Sequence, residues 1–199
     1  MELFVMSDTI THVLRTAARR LRADTRGIAA VEFALLLPFL LILLIGMSET
    51  VTALNTDRKV SQVASSAADL VAQTETISVG EISDIMVAAE QIMLPYSDSP
   101  LDVIIASVTF DGKGDAIVDW SLNKSGDEPW GGGTTPDIDI PESISVAGQS
   151  LVIGKSSYTY VPLFASMLQH IFPRATSMEL GDTYFLKPRL STKVTLTNN

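Results

Sequence analysis

Twenty consecutive residues, Ile28 to Met47 (IAAVEFALLLPFLLILLIGM), carry a single charged side chain, Glu32. As a helix they rise about 30 Å, the thickness of one hydrocarbon core. A soluble helix of that length keeps a polar face, and this one does not, so residues 28–47 are read as a transmembrane segment. Pro38 does not overturn the reading, because membrane helices tolerate a proline with a local kink. A chain of 199 residues with such a segment near its start has room for one modest domain beyond it.

The charges divide the chain again. Arg15, Arg19, Arg20, Arg22 and Arg26 face only three acids within residues 1–27, whereas the remainder holds nine bases against twenty acids. A leader of +2 thus precedes a body of −11. The arginine-rich flank is expected to stay cytoplasmic and the carboxyl end to be exported, a single pass of the inner membrane. A secretory signal peptide is the rival reading. It fits poorly, because its apolar region usually runs only about 7 to 15 residues and Gly46-Met47-Ser48 is a weak cleavage site. Ile10, Val13, Leu14, Ala17 and Leu21 are spaced for one helical face beside the arginines, which suits a leader lying on inner-membrane lipid. The net charge of −9 argues against a nucleic-acid partner. The absence of cysteine removes disulfides, thiolate metal sites and cysteine nucleophiles.

Glu32 is the anomaly. A carboxylate within an apolar helix costs about 2.5 to 3.5 kcal/mol at the membrane centre and less near the interface, so it asks for a partner. An interfacial glutamate reaching back to headgroup water is the plain alternative. Its setting points further: Gly27 follows Arg26, precedes the apolar run, and lies five residues before Glu32.

The stretch Arg26-Gly27-Ile28-Ala29-Ala30-Val31-Glu32-Phe33-Ala34-Leu35-Leu36-Leu37-Pro38 resembles the start of type IV pilin-like proteins, in particular the TadE-like and TadF-like pseudopilins of tight-adherence (Flp) pilus systems. The resemblance implies cleavage by a membrane aspartic prepilin peptidase between Gly27 and Ile28, with Glu32 as the fifth residue of the mature protein and Gly27, Ile28, Glu32 and Phe33 as the processing site. A neighbouring subunit's Glu32 would then pair with the new α-amino group inside a low-dielectric bundle. Ala30 and Ala34, four residues apart, would allow close helix approach. Tyr158-Thr-Tyr160-Val-Pro162-Leu163 and Phe185-Leu-Lys187-Pro188-Arg189 look like the closing segments of TadE-like proteins. The chain departs from the family in lacking cysteine, and it carries no Asp-x-Ser-x-Ser motif of the TadG-like relatives.

Beyond Met47, the spacing of Val51, Leu54, Val63, Ala67 and Leu70 predicts that the helix continues to about residue 71, a rod of about 66 Å. Ser78-Val-Gly-Glu81 reads as a capping box that opens a second helix, with Ile82, Ile85, Met86, Ala89 and Met93 on its apolar side and Pro95 past its end. Leu101–Phe110 and Ala116–Leu122 read as a hairpin around Asp111-Gly112-Lys113-Gly114-Asp115. Residues 123–137 read as a flexible, glycine-rich loop pinned by Trp130. A short helix after Pro141, a strand over Leu151–Pro162 and a last strand over Tyr184–Val194 complete the expected body. Met167, Leu168, Ile171 and Phe172 fit either a short helix or an exposed apolar patch. The expected fold class is α+β: a long N-terminal transmembrane pilin-like helix, then a small exported α/β domain with an antiparallel sheet over residues 72–199.

Catalytic signatures fail on inspection. Gly154-Lys155-Ser156 would end a phosphate loop, but position 149 is glutamine where the first glycine belongs. Asp137-Ile-Asp139-Ile-Pro141 lacks the glycine and closing glutamate of a calcium loop. Asp111, Asp115 and Asp119 offer oxygen ligands, yet a turn and one exposed strand position account for them equally well. His12 lies in the leader and His170 beside apolar residues, so no two-histidine exported site is expected, and Asn123-Lys124-Ser125 is a chance-level sequon. The chain is therefore expected to be no enzyme, with no cofactor or metal. Its expected role is that of a minor pseudopilin in pilus assembly or priming and hence in adhesion, with the prepilin peptidase, sibling pseudopilins, the Flp pilin or assembly platform, and lipid as partners. The alternative is a permanently anchored extracytoplasmic binding or sensor module.

Overall fold

The structure is a computed structural model and describes residues 26–162 and 177–197. The amphipathic leader with His12, and the stretch containing Met167, Leu168, His170, Ile171 and Phe172, lie outside the described residues. By its internal contacts the chain forms two compact units, Met1–Ser48 and Glu49–Asn199.

Helix α1 (Arg26–Ala72) runs through Pro38 and ends one residue beyond the expected position. Its described part in the first unit is exposed almost all around: Phe33, Leu35, Phe39, Leu43 and Leu44 each leave more than half of their surface uncovered. An apolar surface that size is compatible with lipid or neighbouring helices and not with water.

In the second unit the same helix becomes amphipathic. Val60, Val63, Ala64, Ala67, Ala68 and Val71 are fully buried, recurring every three or four residues as one helical stripe. Strand β1 (Thr76–Ser78) and helix α2 (Val79–Glu90) follow. The capping box forms as the sequence predicts: the Glu81 N–H donates to Ser78 Oγ at 3.3 Å, and the Ser78 N–H donates to Glu81 Oε2 at 2.8 Å. The Ser78 N–H and the Ser78 hydroxyl, which donates to the same Oε2 at 2.8 Å, hold the Glu81 carboxyl below its ordinary range. Ile82, Met86, Ala89 and Met93 are buried, and Ile85 packs against them half-buried.

A four-stranded antiparallel sheet receives both helices. Its strands are β2 (Leu101–Phe110), β3 (Ala116–Asn123), β4 (Ser150–Tyr160) and β5 (Met178–Leu186), in the order β3-β2-β4-β5. Val103, Ile105, Trp120, Leu122, Val152, Tyr158 and Tyr160 meet the helices in the main core. Ala106, Val108, Val118 and Ile153 form a second cluster with Trp130. The β2–β3 turn closes as expected, with Gly114 at φ +89° where glycine carries no steric cost.

Three elements differ from the sequence reading. The segment 123–137, expected to be a flexible loop, is tied along the outer edge of β3: Val118 donates to the Thr134 carbonyl, and Ser121 and Trp130 exchange two hydrogen bonds at 2.7 and 2.9 Å. That cover protects one edge of the sheet. The helix after Pro141 is a single 3-10 turn, Glu142–Ile144. The last strand is not one run over 184–194, because Pro188 has no N–H to give a ladder. The chain leaves the sheet at Leu186, crosses to the end of α1, and pairs as β6 (Thr195–Thr197) in parallel with β1.

Candidate processing and assembly segment

Gly27, Ile28, Ala30, Glu32, Phe33 and Ala34 all lie on α1 and all are exposed. A Cβ built on Gly27 meets nothing within 4 Å, so packing within the chain does not demand glycine there. The peptide bond after Gly27 is helical, and glycine makes local unwinding cheaper by about 1 kcal/mol relative to alanine. Helical geometry also sorts the remaining side chains. Ala30, Phe33 and Ala34, at spacings of three and four, share one face, while Ile28 and Glu32 share another. Glu32 stands two residues from each alanine and therefore points away from the small-residue face. A neighbour packed on Ala30 and Ala34 would thus not be one that meets Glu32.

The second half of α1 is fixed to the sheet by contacts that sequence reasoning missed. Glycine at 154 is needed for close approach: a Cβ there would lie 2.5 Å from the Ala64 carbonyl oxygen and 2.8 Å from the Ala68 Cβ. Two residues on, Ser156 Oγ donates to the Val60 carbonyl at 2.9 Å while fully buried. The Gly154-Lys155-Ser156 triplet that imitates the end of a phosphate loop therefore serves to seat a helix on a strand. Lys59 Nζ donates to the carbonyls of Ile92 and Leu94 at 2.6 and 2.8 Å, neutralising the carbonyl end of the α2 segment. Arg189 pairs with Asp69, and its backbone N–H donates to the Ala72 carbonyl at 2.8 Å, covering an otherwise open helix end. The two closing stretches singled out in the sequence contribute Tyr158, Tyr160 and Arg189 to this seat.

Tyr160 bears on the start of the second unit. Its phenol donates to Glu49 Oε2 at 2.9 Å. Burial, then the bond to Glu49 and that carboxylate's charge, push the phenol up to about 12.

The three aspartates considered as cation ligands are used separately. Asp111 Oδ1 accepts the N–H groups of Lys113 and Asp115, which hold its carboxyl below the usual range. Asp119 accepts from Thr109 at 2.6 Å and from Ser107 at 3.3 Å and pairs with Lys193. Among the described residues no group of three His, Cys, Asp or Glu side chains is placed to hold a metal ion.

The model of the TadE-like protein family matches residues 27–69. This chain carries a TadE-like segment. The match begins at Gly27, takes in Glu32 and the apolar run, and extends through the buried stripe on the second half of α1. The TadE-like family implies involvement in the tight-adherence (Tad/Flp) pilus system, with association among its components, and the N-terminal apolar helix suggests a membrane anchor. No curated protein and no solved structure matches the chain.

Proposed function

We propose that the chain is a minor pseudopilin that enters or primes a tight-adherence pilus after a membrane prepilin peptidase removes residues 1–27. The observation that carries this reading is Glu32: a carboxylate five residues past Gly27, on an apolar helix with no covering neighbour among the described residues, inside the TadE-like match. Cleavage after Gly27 creates an α-ammonium group at Ile28. Within a bundle, the Glu32 carboxylate of an adjacent subunit neutralises that cation where water does not reach. The separate Ala30/Ala34 face packs a different neighbour, so each subunit engages two others, as an assembling filament requires. The arginine-rich leader stays cytoplasmic and the second unit is exported. Sibling pseudopilins, the Flp pilin and the assembly platform are the partners this reading supplies, and no step of it calls for catalysis, a cofactor or a metal.

The test separates processing from assembly. Glu32→Gln makes the helix easier to bury, so membrane abundance and cleavage stay near normal. The amide cannot neutralise the buried ammonium, a loss of about 3 to 5 kcal/mol for a broken buried pair, and pilus formation or co-purification with sibling pseudopilins falls. If the glutamine variant assembles as well as the parent in a strain lacking redundant pseudopilins, the pairing is wrong.

A further inference from the structure

Pro38 lies inside α1 without interrupting it. Proline has no backbone N–H, so the carbonyl four residues earlier loses its helical donor, and in α1 that carbonyl belongs to Ala34. Membrane helices tolerate such a proline where a side-chain hydroxyl, a neighbouring helix, an ordered water or a local rewinding of the backbone satisfies the freed group. Two of these are absent within the span. Residues 28–47 hold no hydroxyl, amide, imidazole, indole or cationic side chain, and α1 is α-helical throughout rather than rewound at Pro38. Ala34 stands six residues past Ile28, about 9 Å into the apolar run, where hydrocarbon supplies no water and an unpaired carbonyl is costly.

The carbonyl is reachable from one side. Ala30, Ala34 and Pro38 follow one another at four-residue spacing and share a face of α1, and all three are exposed. The methyl groups at 30 and 34 let a second backbone come close. Leu35, Leu36 and Leu37 occupy the other directions of that turn, so the small-residue face is the open approach.

We infer that the face formed by Ala30, Ala34 and Pro38 docks a transmembrane helix of a different subunit, one whose serine or threonine hydroxyl donates to the Ala34 carbonyl. A second copy of this chain does not supply that donor. Its span has no hydroxyl, and Glu32 as a carboxylate only accepts. The Ile28 ammonium exists only after cleavage and is then engaged by Glu32 in the reading above. The inference rests on residues 28–47 spanning the membrane and deepens the proposed function: Glu32 engages one neighbour, and the face carrying Pro38 selects a hydroxyl-bearing one.

The probe is a leucine–alanine transmembrane peptide with one threonine at the depth of Ala34, compared with a twin in which valine replaces that threonine. The full chain, in phosphatidylcholine vesicles, carries a donor fluorophore on Met47→Cys, an exposed position and the sole thiol of the chain; each peptide carries the acceptor. Energy transfer is expected to show the threonine peptide bound about three- to tenfold more tightly than its valine twin, the range of an interhelical hydrogen bond in a bilayer. Pro38→Ala supplies the missing N–H and is expected to erase that preference. The ratio between the twins cancels any change in helix shape that the substitution brings. Equal binding of the twins to the parent chain overturns the inference, and so does a preference that survives in Pro38→Ala. Energy transfer between donor- and acceptor-labelled copies of the chain, abolished by Pro38→Ala, makes a second copy the occupant and overturns it too. A parent chain that does not float with the vesicles after an alkaline wash removes the span and the inference together. Cleavage plays no part in the measurement, so its outcomes stand apart from a test of leader removal.

Discussion

Replacing Gly154 by alanine tests the seat between α1 and the sheet. The new methyl would lie 2.5 Å from the Ala64 carbonyl oxygen, 3.3 Å from the Ala64 carbonyl carbon and 2.8 Å from the Ala68 Cβ. None of these is the end of a flexible side chain, so relief requires helix and strand to separate. Overpacking of this kind costs about 1 to 3 kcal/mol. Separation by even half an ångström weakens dispersion along the buried stripe from Val60 to Val71 and stretches the Ser156 to Val60 hydrogen bond, worth about 1 kcal/mol. Against this, alanine reduces the unfolded chain's entropy by roughly 0.4 to 1 kcal/mol. A net destabilisation of about 1 to 3 kcal/mol is expected. Urea unfolding of the full chain in detergent, followed by emission from the buried Trp120 and Trp130, reads it as a lower midpoint with an unchanged slope. Gly80→Ala is the control, because a Cβ at Gly80 meets nothing within 4 Å, and its midpoint should hold or rise slightly. An unchanged midpoint for Gly154→Ala would refute the close-approach account.

Two further perturbations probe other parts of the same unit. Glu90 is 5% exposed and pairs with Lys124 across the core edge; Lys124→Met leaves that carboxylate buried without its cation and should destabilise by about 1 to 3 kcal/mol, visible in the same urea titration and largely removed by the double change with Glu90→Gln. The Tyr160 phenol, raised to about 12 from its ordinary 10, contributes stability that is fully present below pH 10 and is lost as pH rises through 12. The urea midpoint should fall across that window and fall less in Tyr160→Phe; Tyr158, also raised by burial and the charge of Asp98, adds to the slope that remains.

Local signals in the sequence carried most of the architecture. The capping box at Ser78 and Glu81, the continuation of α1 past Met47 and the glycine turn after Phe110 are each written within a few residues, and each appears in the structure; of the residues whose spacing marked that continuation, Val63 and Ala67 are buried, whereas Val51, Leu54 and Leu70 are exposed. The contacts that seat α1 were not legible, because they join residues far apart in the chain: Gly154 gains its meaning only when Ala64 lies against it, and Arg189 only when Asp69 does. The split of the last strand was readable in Pro188, whose ring bars a central ladder position. The apolar run and Glu32 were legible for the opposite reason: a span needs no distant partner to be recognised, and a lone acid within it stands out against twenty residues of background.

The account's central claim is that residues 1–27 are a leader removed from a pseudopilin. Intact-mass measurement of the full-length gene product, purified from the membrane of cells with an active prepilin peptidase, tests it most directly. A mature chain beginning at Ile28 is expected, with Gly27→Ala leaving the leader wholly or largely attached because the added methyl opposes access to the backbone. A mass that retains Met1, or the initiator-trimmed leader, in those cells would contradict the claim and leave a permanently anchored protein.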